Sequence, residues 1–446
     1  MDILMKAAQL ILSLSILIVL HEFGHFIPAR LFKIRVEKFY LFFDAWFSLF
    51  KKKIGDTEWG IGWLPLGGYV KIAGMVDESM DKEQMAQPPK PDEFRAKPAW
   101  QRLIVMVGGV TVNIIVGFFI YILVMFGYGE NQTTNENLKY GVTLHPAVEE
   151  LNLNLKDGDK ILSIDGEKVE NFRSLPIQIW LRGYRNLEVQ HEDGTVENIQ
   201  LPETVNGEDL DRWMFQKDAI QLFRPRAKII IDSVLPELEA DKSGLKKGDK
   251  VIAVNKKTIA YFGELQKELS EHKDEEVALT IIRNNDTLSK TVTPDTNGHI
   301  GFANDFNSQI GSTKVNYNFG ESVSRGIAKG AWTMHDYFFQ LKFIFTKKGA
   351  SSIGGFGTIG NLFPSTWDWQ QFWLNTAFIS FVLAIMNILP IPALDGGHVT
   401  FLLYEIITGR EAPQKVLEYA QIVGFVLILS LLLYANGMDA IRAWFN

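Results

Sequence analysis

Four stretches of the chain are long and apolar enough to cross a hydrocarbon core, which needs about 20 residues of helix. They are residues 7–29, 103–129, 369–394 and 419–438. The first is free of charge except around His21, Glu22 and His25, and the second carries no charged residue. The third is uncharged up to Asp395, and the fourth is uncharged between Glu418 and Asp439. The pattern predicts four transmembrane helices, the competing reading being buried helices of a large soluble protein.

Charge at the ends of these runs predicts their orientation. Arg30, Lys33, Arg35, Lys38 and Lys51 to Lys53 follow the first run, and Arg95, Lys97 and Arg102 precede or open the second. That loop is expected in the cytoplasm, which leaves both termini outside. The stretch after the second run is acidic (Glu130, Glu136, Glu149, Glu150), and residues 350–371 contain no Lys or Arg, as suits an extracytoplasmic segment. Trp100, Tyr128, Trp367, Trp369, Trp373, Tyr434 and Trp444 fall where an aromatic belt would lie. The first run leads into His-Glu-Phe-Gly-His instead of a small-residue cleavage site, so it reads as a retained helix.

Between the second and third runs the composition turns ordinary, and periodicity changes to that of strands. Lys156-Asp-Gly-Asp-Lys-Ile-Leu-Ser-Ile-Asp-Gly166 aligns without gaps on Lys246-Lys-Gly-Asp-Lys-Val-Ile-Ala-Val-Asn-Lys256, a glycine turn followed by an alternating apolar strand and a second turn. The repeat predicts two small β-rich domains, 130–225 and 226–318, that resemble PDZ domains. Such domains accept an extended peptide end by strand addition, though a pair of spacers with no ligand would show the same repeat. Residues 319–348 read as a helix mixing aromatic residues with Arg325, Lys329, Lys342, Lys347 and Lys348. The connecting segment 319–368 is expected either in the membrane interface or packed on the repeats. Residues 1–129 and 369–446 are the two parts of a membrane core.

Composition narrows the chemistry. With 446 residues and no Cys, disulfide scaffolds, thiolate metal sites and a cysteine nucleophile are excluded. A net charge of -7 leaves no basic footprint for nucleic acid. The candidate chemistry is His21-Glu22-Phe23-Gly24-His25. The H-E-x-x-H spacing on a helix sets two imidazoles on one face to hold zinc and leaves the glutamate as general base. Ionisable residues inside a membrane helix are costly enough to be functional by default.

A third ligand should lie at the same membrane depth. Asn387-Ile-Leu-Pro-Ile-Pro-Ala-Leu-Asp395-Gly-Gly-His398 ends the third run, with two prolines that break the helix and a carboxylate just past it. Asp395 is the expected ligand, the alternative being an N-cap for a following helix near residues 399–408. His398 is expected in a supporting position more than as a ligand. In the second run Gly108, Gly109 and Gly117 permit close helix packing, and Asn113 either orients a zinc ligand or makes an interhelical hydrogen bond. Residues 39–50 and 57–72 are β-prone runs joined by Lys-Lys-Lys-Ile-Gly-Asp. They predict a re-entrant β-hairpin near the metal, or else a loop on the cytoplasmic rim.

The HEFGH of the first run, the N-x-x-P-x-P-x-L-D-G-G of the third and the PDZ-like pair between the second and third together resemble the site-2 protease family. The resemblance covers almost the whole chain in motif order. It implies a four-helix intramembrane metalloprotease core with tandem periplasmic PDZ domains, in a bacterial inner membrane. It implies His21, His25 and Asp395 as Zn2+ ligands near the cytoplasmic side, Glu22 as catalytic base and Asn387 as a substrate contact. Expected substrates are single-span membrane proteins of the anti-sigma-factor kind and signal-peptide remnants, with the lipid bilayer as surroundings and peptide termini as ligands of the PDZ-like domains. Residues 354–360 lack the proline of the family's Gly-Pro-Ile-like segment and receive no role. Two rival readings are a noncatalytic zinc-stabilised scaffold that binds peptides, which leaves Glu22 without a purpose, and a metal transporter, which would need a second intramembrane ligand cluster.

Overall fold

The computed structural model describes residues 2–65, 67–75 and 87–445; Leu66, inside the predicted run 57–72, lies outside them. The chain forms two compact units, 1–129 with 316–446, and 130–315.

In the first unit, four helices are long and apolar enough to span a membrane: α1 (Asp2–Leu31), α2 (Ala99–Tyr128), α4 (Trp369–Ile388) and α6 (Gln414–Phe445). Two further helices, α3 (Phe319–Gln340) and α5 (Asp395–Thr408), pack among them. Helix α2 is the centre, packed by α1, α3, α4 and α5. Small residues allow it. A Cβ on Gly117 would stand 2.7 Å from the Phe381 ring of α4, and one on Gly326 of α3 would stand 2.7 Å from Ile122. Buried hydroxyls and amides join the helices where no water competes: Thr376 donates to Ser13 at 2.9 Å, Ser380 to the Asn113 carbonyl at 2.7 Å, and Gln9 to the Pro364 carbonyl at 2.8 Å.

Helix α3 packs on α2 through Gly326 and Gly330, and its regular α-helix stops at Gln340, short of the predicted residue 348, before a 3-10 turn over Leu341–Phe345. The third span also ends earlier than its apolar run, at Ile388. Pro390 and Pro392 lack the amide hydrogens that would continue the helix, and Ala393 takes a left-handed φ of 75° that redirects the chain into α5.

The two β-prone runs between α1 and α2 become four strands: β1 (Val36–Leu41), β2 (Phe43–Ile54), β3 (Thr57–Leu64) and β4 (Tyr69–Ile72), in the order β2-β3-β1-β4. A left-handed Phe42 (φ 69°) divides the first run, and the turn shortens to Gly55 and Asp56 because the three lysines extend β2. Strand β1 pairs β3 in parallel and β4 antiparallel, so β4 is an edge. Phe39 and Trp59 stack at 4.6 Å and pack on Phe23 and Phe26, which anchors the sheet to the helix turn carrying the histidines.

The second unit repeats its architecture. Strands Lys160–Ile164, Glu167–Lys168, Asn186–Gln190 and Val196–Gln200 form one sheet, and Lys250–Val254, Lys257–Thr258, Val277–Arg283 and Asp286–Val292 form another with the same strand order. A helix follows the second strand in each, Leu175–Trp180 and Phe262–Glu271. The second sheet encloses Val251, Leu265, Leu279 and Ile281.

Candidate metal centre

Helix α1 carries His21 and His25 one turn apart, and the start of α5 brings Asp395 to them. Three donor atoms converge. His21 Nε2 lies 3.2 Å from His25 Nε2, and Asp395 Oδ2 lies 3.3 Å and 3.4 Å from the same two atoms. A tetrahedral zinc with bonds of about 2.0–2.1 Å needs donors about 3.3–3.4 Å apart, so the triangle fits the ion. The Asp395 Oδ2 atom is buried, and among the described residues no hydrogen bond is directed at it despite its nearness to both imidazoles. A buried carboxylate oxygen without a donor calls for a cation.

Asp395 is the first residue of α5, after Leu394 at the cap. Helix α5 starts at Asp395 and not near Val399, and the carboxylate lies beside the two imidazoles of α1. Gly396 and Gly397 let this turn sit on the backbone of Ile388 to Pro392, where a Cβ on Gly397 would come within 2.7 Å of the Ile391 carbonyl.

The histidines are held from α2. His25 Nδ1 donates to the Val105 carbonyl at 2.8 Å, which leaves Nε2 for a metal. The amide of Asn113, wholly buried, stands 3.2 Å from His21 Nδ1, and its Oδ1 has no partner among the described residues. A metal-bearing His21 carries its proton on Nδ1. The amide orientation that sets Oδ1 there to accept that proton satisfies both groups.

Sequence reasoning missed Gly109 as more than a packing residue. A Cβ there would stand 2.6 Å from His21 Cε1 and collide with His25 Nε2, while Gly108 and Gly24 bring the two backbones into contact. A signal was present: Val105, Gly109 and Asn113 are spaced by four and share one face of α2. Gly67 and Gly68, just before β4, were noted only as glycine-rich. A Cβ on Gly68 would lie 3.7 Å from Glu22 Cγ, so the sheet's edge passes beside the buried glutamate.

Two candidates stand apart from the triangle. Asn387 is half-buried in the last turn of α4. His398 is not among the grouped donors and lines a cavity of about 220 Å3 with Arg95, Arg102, Glu405 and Gln421.

A helix-borne pair of imidazoles, a carboxylate from a distant turn and a buried glutamate between the imidazoles form a candidate metal centre of the kind metalloproteases use, carried among helices long and apolar enough to span a membrane. The chain belongs to peptidase family M50, the site-2 proteases, whose family profile matches residues 9–431. It is a zinc metalloprotease by that membership. It is 26% identical to the regulator of sigma E protease of Haemophilus influenzae, over 99% of this chain and 100% of the relative. It is 28% identical to a Neisseria meningitidis protein named as a zinc metalloprotease, over 97% and 98%, and 26% identical to protease RseP of Yersinia pestis, over 97% of each.

Proposed function

We propose that the protein is an intramembrane endopeptidase acting in regulated intramembrane proteolysis, cutting membrane-spanning segments of single-span proteins such as anti-sigma factors and signal-peptide remnants. The observation that carries the reading is the donor triangle of His21, His25 and Asp395 with Glu22 in the same helical turn, enclosed by apolar helices. His21, His25 and Asp395 would hold the metal. Zinc bound there supplies Lewis-acid polarisation of a peptide carbonyl and acidifies water. Glu22 takes a proton from the attacking water and hands it to the leaving amine.

A peptide bond in a membrane helix is covered by its own hydrogen bonds, so the substrate must be unwound and its freed backbone satisfied. The outer edge of β4, which has no partner strand among the described residues, serves this by strand addition, beside Glu22, and β1 to β4 form the re-entrant element of the fold. Asn387 contacts the substrate, and Asn113 and His398 support the centre from outside it. The repeated sheets of 130–225 and 226–318 are PDZ-like domains that admit trimmed substrates or their termini, joined to the core by 319–368. Lys and Arg density between α1 and α2 supports a cytoplasmic loop, with termini and PDZ-like domains outside in a bacterial inner membrane and the metal near the cytoplasmic side.

The test is cleavage of a single-span reporter by purified protein in detergent, with zinc quantified on the same samples. Glu22→Gln is expected to retain one zinc and lose cleavage by a factor of about 10² or more. Cleavage by the variant at the wild-type rate would refute the role of Glu22, and absence of zinc from the wild type would refute the metal assignment.

A further inference from the structure

The two halves of residues 130–315 share a buried aspartate and differ in what neutralises it. In the gapless alignment of 156–166 on 246–256, Asp159 falls on Asp249, and each is 1% exposed. Each accepts the backbone amide three residues before it, Lys156 or Lys246, at 2.8 Å. Each turn is also joined to a strand. The Val142 amide donates to the Asp159 carbonyl at 2.9 Å and the Gly158 amide to the Val142 carbonyl at 2.7 Å; Ile231, Asp249 and Gly248 repeat both bonds at the same lengths.

Sheet register identifies the equivalent partners. Lys160 is opposite Gln190 in the first half, and Lys250 is opposite Ile282 in the second, so the residues that follow, His191 and Arg283, correspond. Arg283 grips Asp249 with a two-pronged fork, Nε to Oδ1 and Nη2 to Oδ2, both 2.7 Å. His191 instead bridges two carboxylates, Nδ1 at 2.9 Å from Asp159 Oδ1 and Nε2 at 3.3 Å from Glu197 Oε2. Arginine stays charged at every physiological pH, whereas histidine does not.

We propose that His191 makes the first half pH-responsive: its imidazolium bridges Asp159 and Glu197 and holds the 156–159 turn to strand Val142–Leu144, an attachment that loosens as pH rises, while the second half, held by Arg283, does not respond. Only the imidazolium can donate from both nitrogens. Once neutral it keeps one bond, and the buried Asp159 loses its counter-charge.

Hydrogen bonds to Asp159 and then Glu197 hold the imidazole above its ordinary value. A group raised on folding contributes its full stabilisation below about pH 6.5 and loses it as pH climbs through the raised folded value. Asp159 faces the imidazole from the turn, and Glu197 from strand Val196–Gln200, where Asn154 also donates to it at 2.6 Å. Asp193 is engaged by Thr195 in the hairpin turn, Glu192 is paired with Arg226 at 2.6 Å, and Lys156 acts on Asp193 and Glu197 from the turn.

Hydrogen exchange on the full-length protein in detergent tests this independently of zinc or proteolysis, at about pH 6 and about pH 8.5, with rates corrected for intrinsic exchange. Protection of peptides containing the Val142 and Gly158 amides is expected to fall roughly threefold to tenfold at the higher pH, with Ile231 and Gly248 unchanged as internal reference. His191→Arg should abolish the difference while keeping protection, and Arg283→His should transfer it to the second half, which keeps the test open should one variant misfold. Equal protection of Val142 and Gly158 at both pH values in the wild type, or a pH dependence surviving in His191→Arg, overturns the proposal.

Discussion

Gly109→Ala tests whether the metal centre depends on the closeness of α1 and α2. The added methyl would stand 2.6 Å from His21 Cε1 and 2.8 Å from His21 Nδ1, where ordinary contact begins at 3.4 Å. Relief at His21 alone requires a displacement of about 0.8 Å, and the still closer His25 Nε2 must give more, so the shift is at least about four times the tolerance of roughly 0.2 Å on metal–ligand distances. Neither imidazole can give way freely, because His25 is tied to the Val105 carbonyl and His21 abuts Asn113. Helix propensity works the other way, since alanine for glycine in a helix interior favours the helix by about 1 kcal/mol. Loss of zinc without loss of helix therefore isolates the steric effect. Zinc affinity, measured by competition with a chromophoric chelator, is expected to fall about 10- to 100-fold, with reporter cleavage falling in parallel. Gly127→Ala on the same helix meets nothing within 4 Å and should behave as wild type. Wild-type zinc affinity in Gly109→Ala would refute the reasoning, because the donors would then not be wedged against α2.

Asn113→Ala should weaken zinc binding about 10-fold or more, while Asn113→Gln, one methylene longer in a buried slot, should not restore it. Arg283→Gln leaves Asp249 buried without its fork, and exchange protection of strand Lys250–Val254 should drop by a factor of about 10 to 100. Burial alone would raise the Asp249 carboxyl, but the Arg283 fork and the Lys246 amide hold it below its usual range. The wild-type half therefore gains from this pair above about pH 4 and loses the gain as pH falls through the depressed folded value, a dependence that a melt of Arg283→Gln against wild type at acid pH should show reduced. Gly326→Leu places a side chain where Ile122 already stands and should destabilise the α2–α3 contact by about 1–3 kcal/mol, visible as a lowered melting temperature in detergent.

Much of the centre was legible because its signals are local. The pair His21 and His25 needs only the 3.6-residue period of a helix, and four apolar runs need only their length. Asp395 could be anticipated from depth and from the prolines, although only the course of α5 shows it beside the imidazoles. The β-prone segments were visible as runs but not as a sheet. A parallel pairing of β1 with β3 depends on contacts between residues such as Tyr40 and Gly60, which no local propensity encodes. The amphipathic mixture of helix α3 shows that a partner exists without saying which, so its packing on α2 could be read only from the structure.

The sequence by itself determined which helices are apolar enough to span a membrane, where the chain repeats, and which turn of α1 carries the candidate metal ligands, since each is a matter of composition or short-range spacing. Tertiary structure alone decided the distances that make a ligand set. The Val105 carbonyl fixes one imidazole, Gly109 leaves room for both, and Asp395 arrives from more than 300 residues away to close a triangle of 3.2 to 3.4 Å. Coordination depends on tenths of an ångström between side chains on different elements, and such distances exist only once those elements are packed.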